Sequence, residues 1–126
     1  MKDFKKYFRI HACPADVYNA LTNKAMLEIW TGEPAVMEPV PGTEFSLWDG
    51  SISGKNLEFE PGRLVVQEWY FGEQEEPSVV TIRLHPDKKG TSMEVRQTNI
   101  PGEAYANIAG GWSEDYFGAL KRLYED

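Results

Sequence analysis

The stretch that most constrains this chain is its last long segment, residues 103–125, EAYANIAGGWSEDYFGALKRLYE. Tyr105, Ile108, Trp112, Tyr116, Ala119 and Leu123 recur at three-then-four spacing, with Ala109 and Leu120 beside them, so one helical face is wide, apolar and aromatic. Glu114, Asp115, Lys121, Arg122 and Glu125 fall around the back, the polar complement of an amphipathic helix. At ~1.5 Å per residue such a helix crosses a small domain completely, and its apolar face needs a sheet to lie against. Gly110-Gly111 interrupts the pattern. Glycine inside a helix costs ~1 kcal/mol relative to alanine, so the pair predicts a kink, or a place where another backbone or a ligand comes close.

The preceding chain supplies that sheet. Residues 4–12 alternate Phe8, Ile10 and Ala12 against Tyr7, Arg9 and His11, the period of a strand. Pro14 stops the strand and opens a short helix over 15–21, burying Val17, Ala20 and Leu21. Thr22-Asn23 reads as a break and a new cap, and a second short helix over 24–30 buries Leu27 and Trp30. Residues 31–42 are rich in glycine and proline, with only 35–38 plausible as a short edge strand. Strands at 43–48 and 51–59 flank Asp49-Gly50, a hairpin signal because both turn positions must accept positive φ. Pro61-Gly62 turns the chain into a valine-rich and aromatic strand over 63–71, whose inner face is taken to be the one carrying Trp69. Acidic residues 73–76 read as a solvated loop. Strands at 78–85 and 91–98 form the last hairpin.

The expected fold is therefore α+β: a curved antiparallel sheet of about six to seven strands around a long C-terminal helix, with two short helices after the first strand plugging one end. No repeat, linker or shift in composition divides the 126 residues, and one domain over 1–126 is expected. The net charge of -7 argues against nucleic-acid and anionic-membrane partners, which require a concentrated basic surface. A single cysteine, Cys13, allows no intrachain disulfide. With no signal-peptide pattern and no long apolar run, a cytoplasmic location is expected.

Three runs carry a resemblance. FSLWDGSISG (45–54), LEFEPGRLVVQEW (57–69) and GWSEDYFGALK (111–121) resemble the C-terminal domain of the activator of Hsp90 ATPase, within the START-like helix-grip superfamily. The likeness extends over residues 14–124. Its most specific parts are the Asp49-Gly50 hairpin followed by Ile52-Ser53-Gly54, and Gly111-Trp112 with Tyr116-Phe117. It implies a curved sheet gripping the final helix, usually with a cavity between them. Eukaryotic co-chaperones of the family carry an additional N-terminal domain that supplies most of the activating contact. The 126 residues are expected to lack that domain, so docking on an Hsp90-type chaperone is the co-chaperone role the resemblance implies for them. Other single-domain relatives hold apolar small molecules.

No catalytic constellation emerges from the residues. His11 and His85 stand near no serine or cysteine with an acid in a recognised motif. His11 and Cys13 are two ligands where zinc needs three or four, and they read instead as a surface histidine and a small buried cysteine. The glycines follow no phosphate-binding spacing. Neither a catalytic residue, a metal nor a cofactor is expected.

The aromatic residues carry the sharper reading. Trp30 from the second short helix, Phe45, Phe59 and Trp69 from the strands, and Tyr105, Ile108, Trp112 and Tyr116 from the closing helix either pack as plain core or line a ligand cavity, with Tyr105 and Tyr116 offering orienting hydroxyls. Trp48, at the hairpin tip and on the strand face opposite Phe45 and Leu47, is a candidate partner contact if exposed. The function expected is a non-enzymatic binding module, monomeric or weakly dimeric, partnered by an Hsp90-type chaperone and able to hold a small apolar ligand. Its rivals are a stand-alone carrier of hydrophobic molecules and a START-like cyclase or hydrolase, which would need a polar cluster deep in the cavity.

Overall fold

The computed structural model describes residues 1–72 and 76–125. β1 (Lys2–Ile10) is followed by α1 (Pro14–Thr22) and α2 (Lys24–Thr31), then by β2 (Glu44–Leu47), β3 (Ile52–Glu60), β4 (Leu64–Trp69), β5 (Ser78–Asp87) and β6 (Gly90–Ile100). The six strands form one sheet in the order β1-β6-β5-β4-β3-β2, every neighbouring pair antiparallel. β1 returns beside the last strand, so β1 and β2 are the two edges.

Local chemistry places the short helices. Pro14 sits in the first turn of α1, where its missing N–H is no loss. The Asn23 side chain accepts the Met26 N–H at 3.0 Å and starts α2. Gly32, at φ 75°, ends it. The Trp30 indole donates to the Ala20 carbonyl at 2.9 Å, which ties α2 to α1.

The closing segment is one continuous helical path with a change of pitch. A 3₁₀ turn (Gly102–Ala104) leads into α3 (Tyr105–Gly111), a π-helical turn (Trp112–Tyr116) and α4 (Phe117–Leu123). The Phe117 N–H reaches back five residues to the Trp112 carbonyl. The glycine pair thus marks the start of a π turn rather than a close approach of backbone: a side chain at Gly110 would meet open space, and one at Gly111 only the Asp115 carboxylate.

Trp112, Tyr116 and Leu120 from this path meet Phe8, Ile10, Phe45, Val65, Trp69, Val80, Ile82 and Val95 from the sheet in one buried core. Trp69 lies on the inner face, and Leu64 and Val66 on the other.

Two local expectations change. Residues 35–38 make a single bridge, Val36 to Ser46, and no ladder; Pro34 and Pro39 flank them and cannot donate. Cys13 is exposed, because it sits ahead of α1 at the N-cap, where its carbonyl accepts the Asp16 and Val17 N–H groups. The acidic loop expected at 73–76 lies, except for Glu76, outside the described residues.

Candidate functional site

A pocket of about 530 Å³ opens between the closing helix, the β2–β3 hairpin and α2. Its apolar wall is Trp30, Trp48, Ile52, Trp69, Ile108 and Trp112, with Tyr116 at the base. Asn107, Glu114, Asp115 and Arg122 stand at its helix side, and Thr31 and Ser51 opposite.

The π turn builds this wall. By widening the helix between Trp112 and Tyr116 it directs both rings inward, 4.4 Å apart at 43°, and both are buried. Trp69 stacks on Trp112 at 5.0 Å and 18°. That stack requires β3 to pass close beneath it. Gly54 is the register partner of Trp69, and a β-carbon at that position would collide with the Glu68 carbonyl and approach the Phe45 ring.

The hairpin adds the remaining wall. Asp49 and Gly50 adopt positive φ as the turn requires, and the Ser51 N–H closes it on the Trp48 carbonyl at 3.2 Å. Trp48 itself also adopts φ 51°, a left-handed conformation that costs a bulky residue on the order of 1 kcal/mol. The strand alternation that would point Trp48 away from Phe45 and Leu47 is broken there. Its ring turns back, edge-on to Trp30 at 5.7 Å and to Tyr116 at 5.9 Å. Trp48 is therefore a half-buried wall residue and not a free hairpin tip.

Two buried polar relays fix the rings. The Trp112 indole donates to Gln97 Oε1 at 2.8 Å, and Gln97 Nε2 donates to Ser78 Oγ at 3.0 Å, which donates to the Thr98 carbonyl. The Trp69 indole donates to Gln67 Oε1 at 3.1 Å, and Gln67 Nε2 donates to Asn56 Oδ1 at 3.1 Å. Asn56, Gln67, Ser78 and Gln97 are all buried. These residues escaped the reading of the sequence, which counted aromatics only. The signal was present: alternation puts Gln67 on the face of Val65 and Trp69, and Gln97 on the face of Val95.

Tyr116 differs from its neighbours. Burial pushes its phenol well above the ordinary tyrosine value. The group is a neutral donor at the base of the pocket. The remaining expected site residues lie elsewhere. Phe45 is buried over Gly54. Phe59 returns to the inner face only because a bulge between Asn56 and Glu58 shifts the register, and it faces Val65 away from the pocket. Tyr105 packs at the start of the helix, under the Lys2 ammonium at 5.1 Å. His11 and His85 are exposed and outside the pocket. Among the described residues no group of three or more His, Cys, Asp or Glu is placed to hold a metal, and no helix is long and apolar enough to cross a membrane.

Known proteins resemble this chain in sequence and in fold. An activator of 90 kDa heat shock protein ATPase homolog from Dictyostelium discoideum is 30% identical over 126 residues, which are 98% of this chain and 33% of that protein. An HSP90 activator from Plasmodium falciparum superposes with a TM-score of 0.87 at 23% identity, covering 98% of this chain and 96% of the other. The Aha1 dimer from Colwellia psychrerythraea gives 0.85 at 20% identity, covering 99% and 97%. At these identities the two structures speak for the fold alone. The chain spans about a third of the length of the curated relatives it matches. The family described as activator of Hsp90 ATPase homolog 1-like protein matches residues 11–125. A match over nearly the whole helix-grip domain settles the family: this chain belongs to the activator of Hsp90 ATPase homolog 1-like proteins.

Proposed function

We propose that this chain is a non-enzymatic, cytoplasmic START-like module that docks on an Hsp90-type chaperone. The observation that carries the reading is the family match over residues 11–125, together with relatives named as activators of the 90 kDa heat shock protein ATPase. The pocket supports a binding role rather than a catalytic one, because its wall is aromatic and it holds no histidine or cysteine to activate a nucleophile. Trp48, which lines the pocket wall and keeps part of its surface open, is the residue we assign to partner contact. Adding the protein to a bacterial or eukaryotic Hsp90 and following ATP turnover tests the role. A change in turnover that saturates with added protein supports it, and unchanged turnover with no detectable complex overturns it.

A second reading rests on the pocket itself. A volume of about 530 Å³ falls in the range that takes a small organic molecule. In this reading Trp30, Trp69, Ile108 and Trp112 hold an apolar ligand, and the Tyr116 hydroxyl donates to an acceptor on it. Heat stabilisation by a panel of hydrophobic carbonyl compounds, lost in Tyr116→Phe or in pocket-filling Gly111→Leu, is the expected result. No stabilisation by any of them would remove the carrier role.

A further inference from the structure

The surface opposite the pocket carries a second groove, of about 490 Å³, where the open edge of β1 faces the closing helix. We propose that this groove docks an extended, acidic segment of a protein partner, which adds to the sheet as a seventh strand beside β1.

Backbone geometry supplies the first part. Among the described residues β1 pairs with β6 alone, so every second N–H and C=O on its other side points away from the sheet and is open to pairing with an added strand. Charge supplies the second. The chain as a whole carries -7, yet β1 bears Lys2, Lys5, Lys6 and Arg9 against the single acid Asp3. Lys6 and Arg9 line the groove from β1, exposed His11 lines it just beyond the end of that strand, and Lys121 lines it from α4. Lys6 forms no ion pair among the described residues; its ammonium donates to Ser113 Oγ at 3.0 Å. Arg9 to Asp87, at 3.4 Å, and Lys121 to Glu125, at 3.2 Å, are exposed pairs that an incoming carboxylate displaces at little cost.

The floor supplies the third. Phe8 stacks on Phe117 at 4.7 Å and 30°, and Tyr7 is 54% exposed on the outer face of the same edge. Lysines on an edge strand guard against pairing with another copy, since two such edges would bring like charges together. The same charges attract an acidic strand, and the aromatic floor gives it apolar contact that a guard alone does not need. A nucleic acid would use the cations but not the free backbone edge, so the strand pairing distinguishes the two. This inference is independent of the chaperone assignment and of the pocket.

The test uses a fluorescent synthetic peptide of about nine residues, the length of β1 at ~3.4 Å per residue, alternating glutamate and valine. Binding is followed by anisotropy against the intact protein. The proposal expects saturable binding that weakens as salt rises. It expects a loss of roughly tenfold or more in the exposed-site double variant Lys6→Glu/Arg9→Glu, whose thermal melt stays unchanged. It also expects loss of binding when alternate peptide amides are N-methylated. Equal binding of the methylated peptide, equal binding to the double variant, tighter binding of oligothymidylate, or no peptide binding at millimolar concentration each overturns it.

Discussion

The indole of Trp69 stacks on that of Trp112, 5.0 Å apart and 18° from parallel, and each ring's N–H ends on a buried glutamine. The sheet and the closing helix are thus joined at one point by the ring contact and by the Trp112–Gln97 hydrogen bond, while Gln67 holds the Trp69 ring from within the sheet. The pocket lies against this joint, so the residues that hold the fold together also set the shape of the site.

Trp112→Ala removes the helix half of the joint from a position that is 2% exposed. The expected loss is about 3–5 kcal/mol of unfolding free energy, measured by denaturant titration. A loss below about 1 kcal/mol would mean that this face of the helix does not carry the core.

Gln97→Leu leaves the Trp112 N–H and the Ser78 hydroxyl without their buried partner. It should cost about 1–3 kcal/mol. Paired with Trp112→Phe, which removes the orphaned donor, the double variant should lose less than the sum of the two single changes. Strict additivity would show that the relay contributes nothing as a unit.

Gly54→Ala puts a β-carbon against the Glu68 carbonyl in the neighbouring strand, where no flexible side chain can move aside. The ladder must shift, and a loss of more than about 2 kcal/mol is expected, in the class of overpacked core positions. Gly110→Ala, facing open space within a helix, should instead stabilise by about 0.5–1 kcal/mol. The same stability assay separates the two, and similar values for both would contradict the geometry.

Tyr116 makes the alkaline side of the stability curve informative. Burial holds its folded pKa above the ordinary value of 10.0, so the folded state keeps the proton longer than the unfolded chain does. The corresponding stability is present in full below that value and is lost as pH rises beyond it. Tyrosinate absorbance should therefore show a last ionisation that appears only with unfolding, and Tyr116→Phe should abolish that step. A Tyr116 that ionises in the intact fold near the ordinary value would mean that its hydroxyl is solvated.

How far the sequence carried is clearest at particular residues. The three-then-four spacing from Tyr105 to Leu123 named the gripping helix and Trp112 within it, because periodicity records which face is buried. The Asp49-Gly50 signal located the hairpin, and Asn23 the start of α2, because each depends on chemistry within a few residues. The reversal of Trp48 was hidden, since it rests on a left-handed backbone that no propensity assigns to tryptophan and is offset by contacts with Trp30 and Tyr116, both distant in sequence. Phe59 and Tyr105 were grouped with the pocket by residue type, but the β3 bulge and the start of the helix set them apart from it. The glycine pair marked the place of a helical irregularity: a π turn follows it and brings Trp112 and Tyr116 together, and Gly111 lines the pocket rather than meeting another backbone.

The docking role is tested most directly by calorimetric titration of the intact protein into an Hsp90-type chaperone. A saturable complex with a dissociation constant in the micromolar range, weakened by Trp48→Ala while the fold is kept, is the predicted result. No heat of binding at tens of micromolar of both proteins, with both folded, would contradict it.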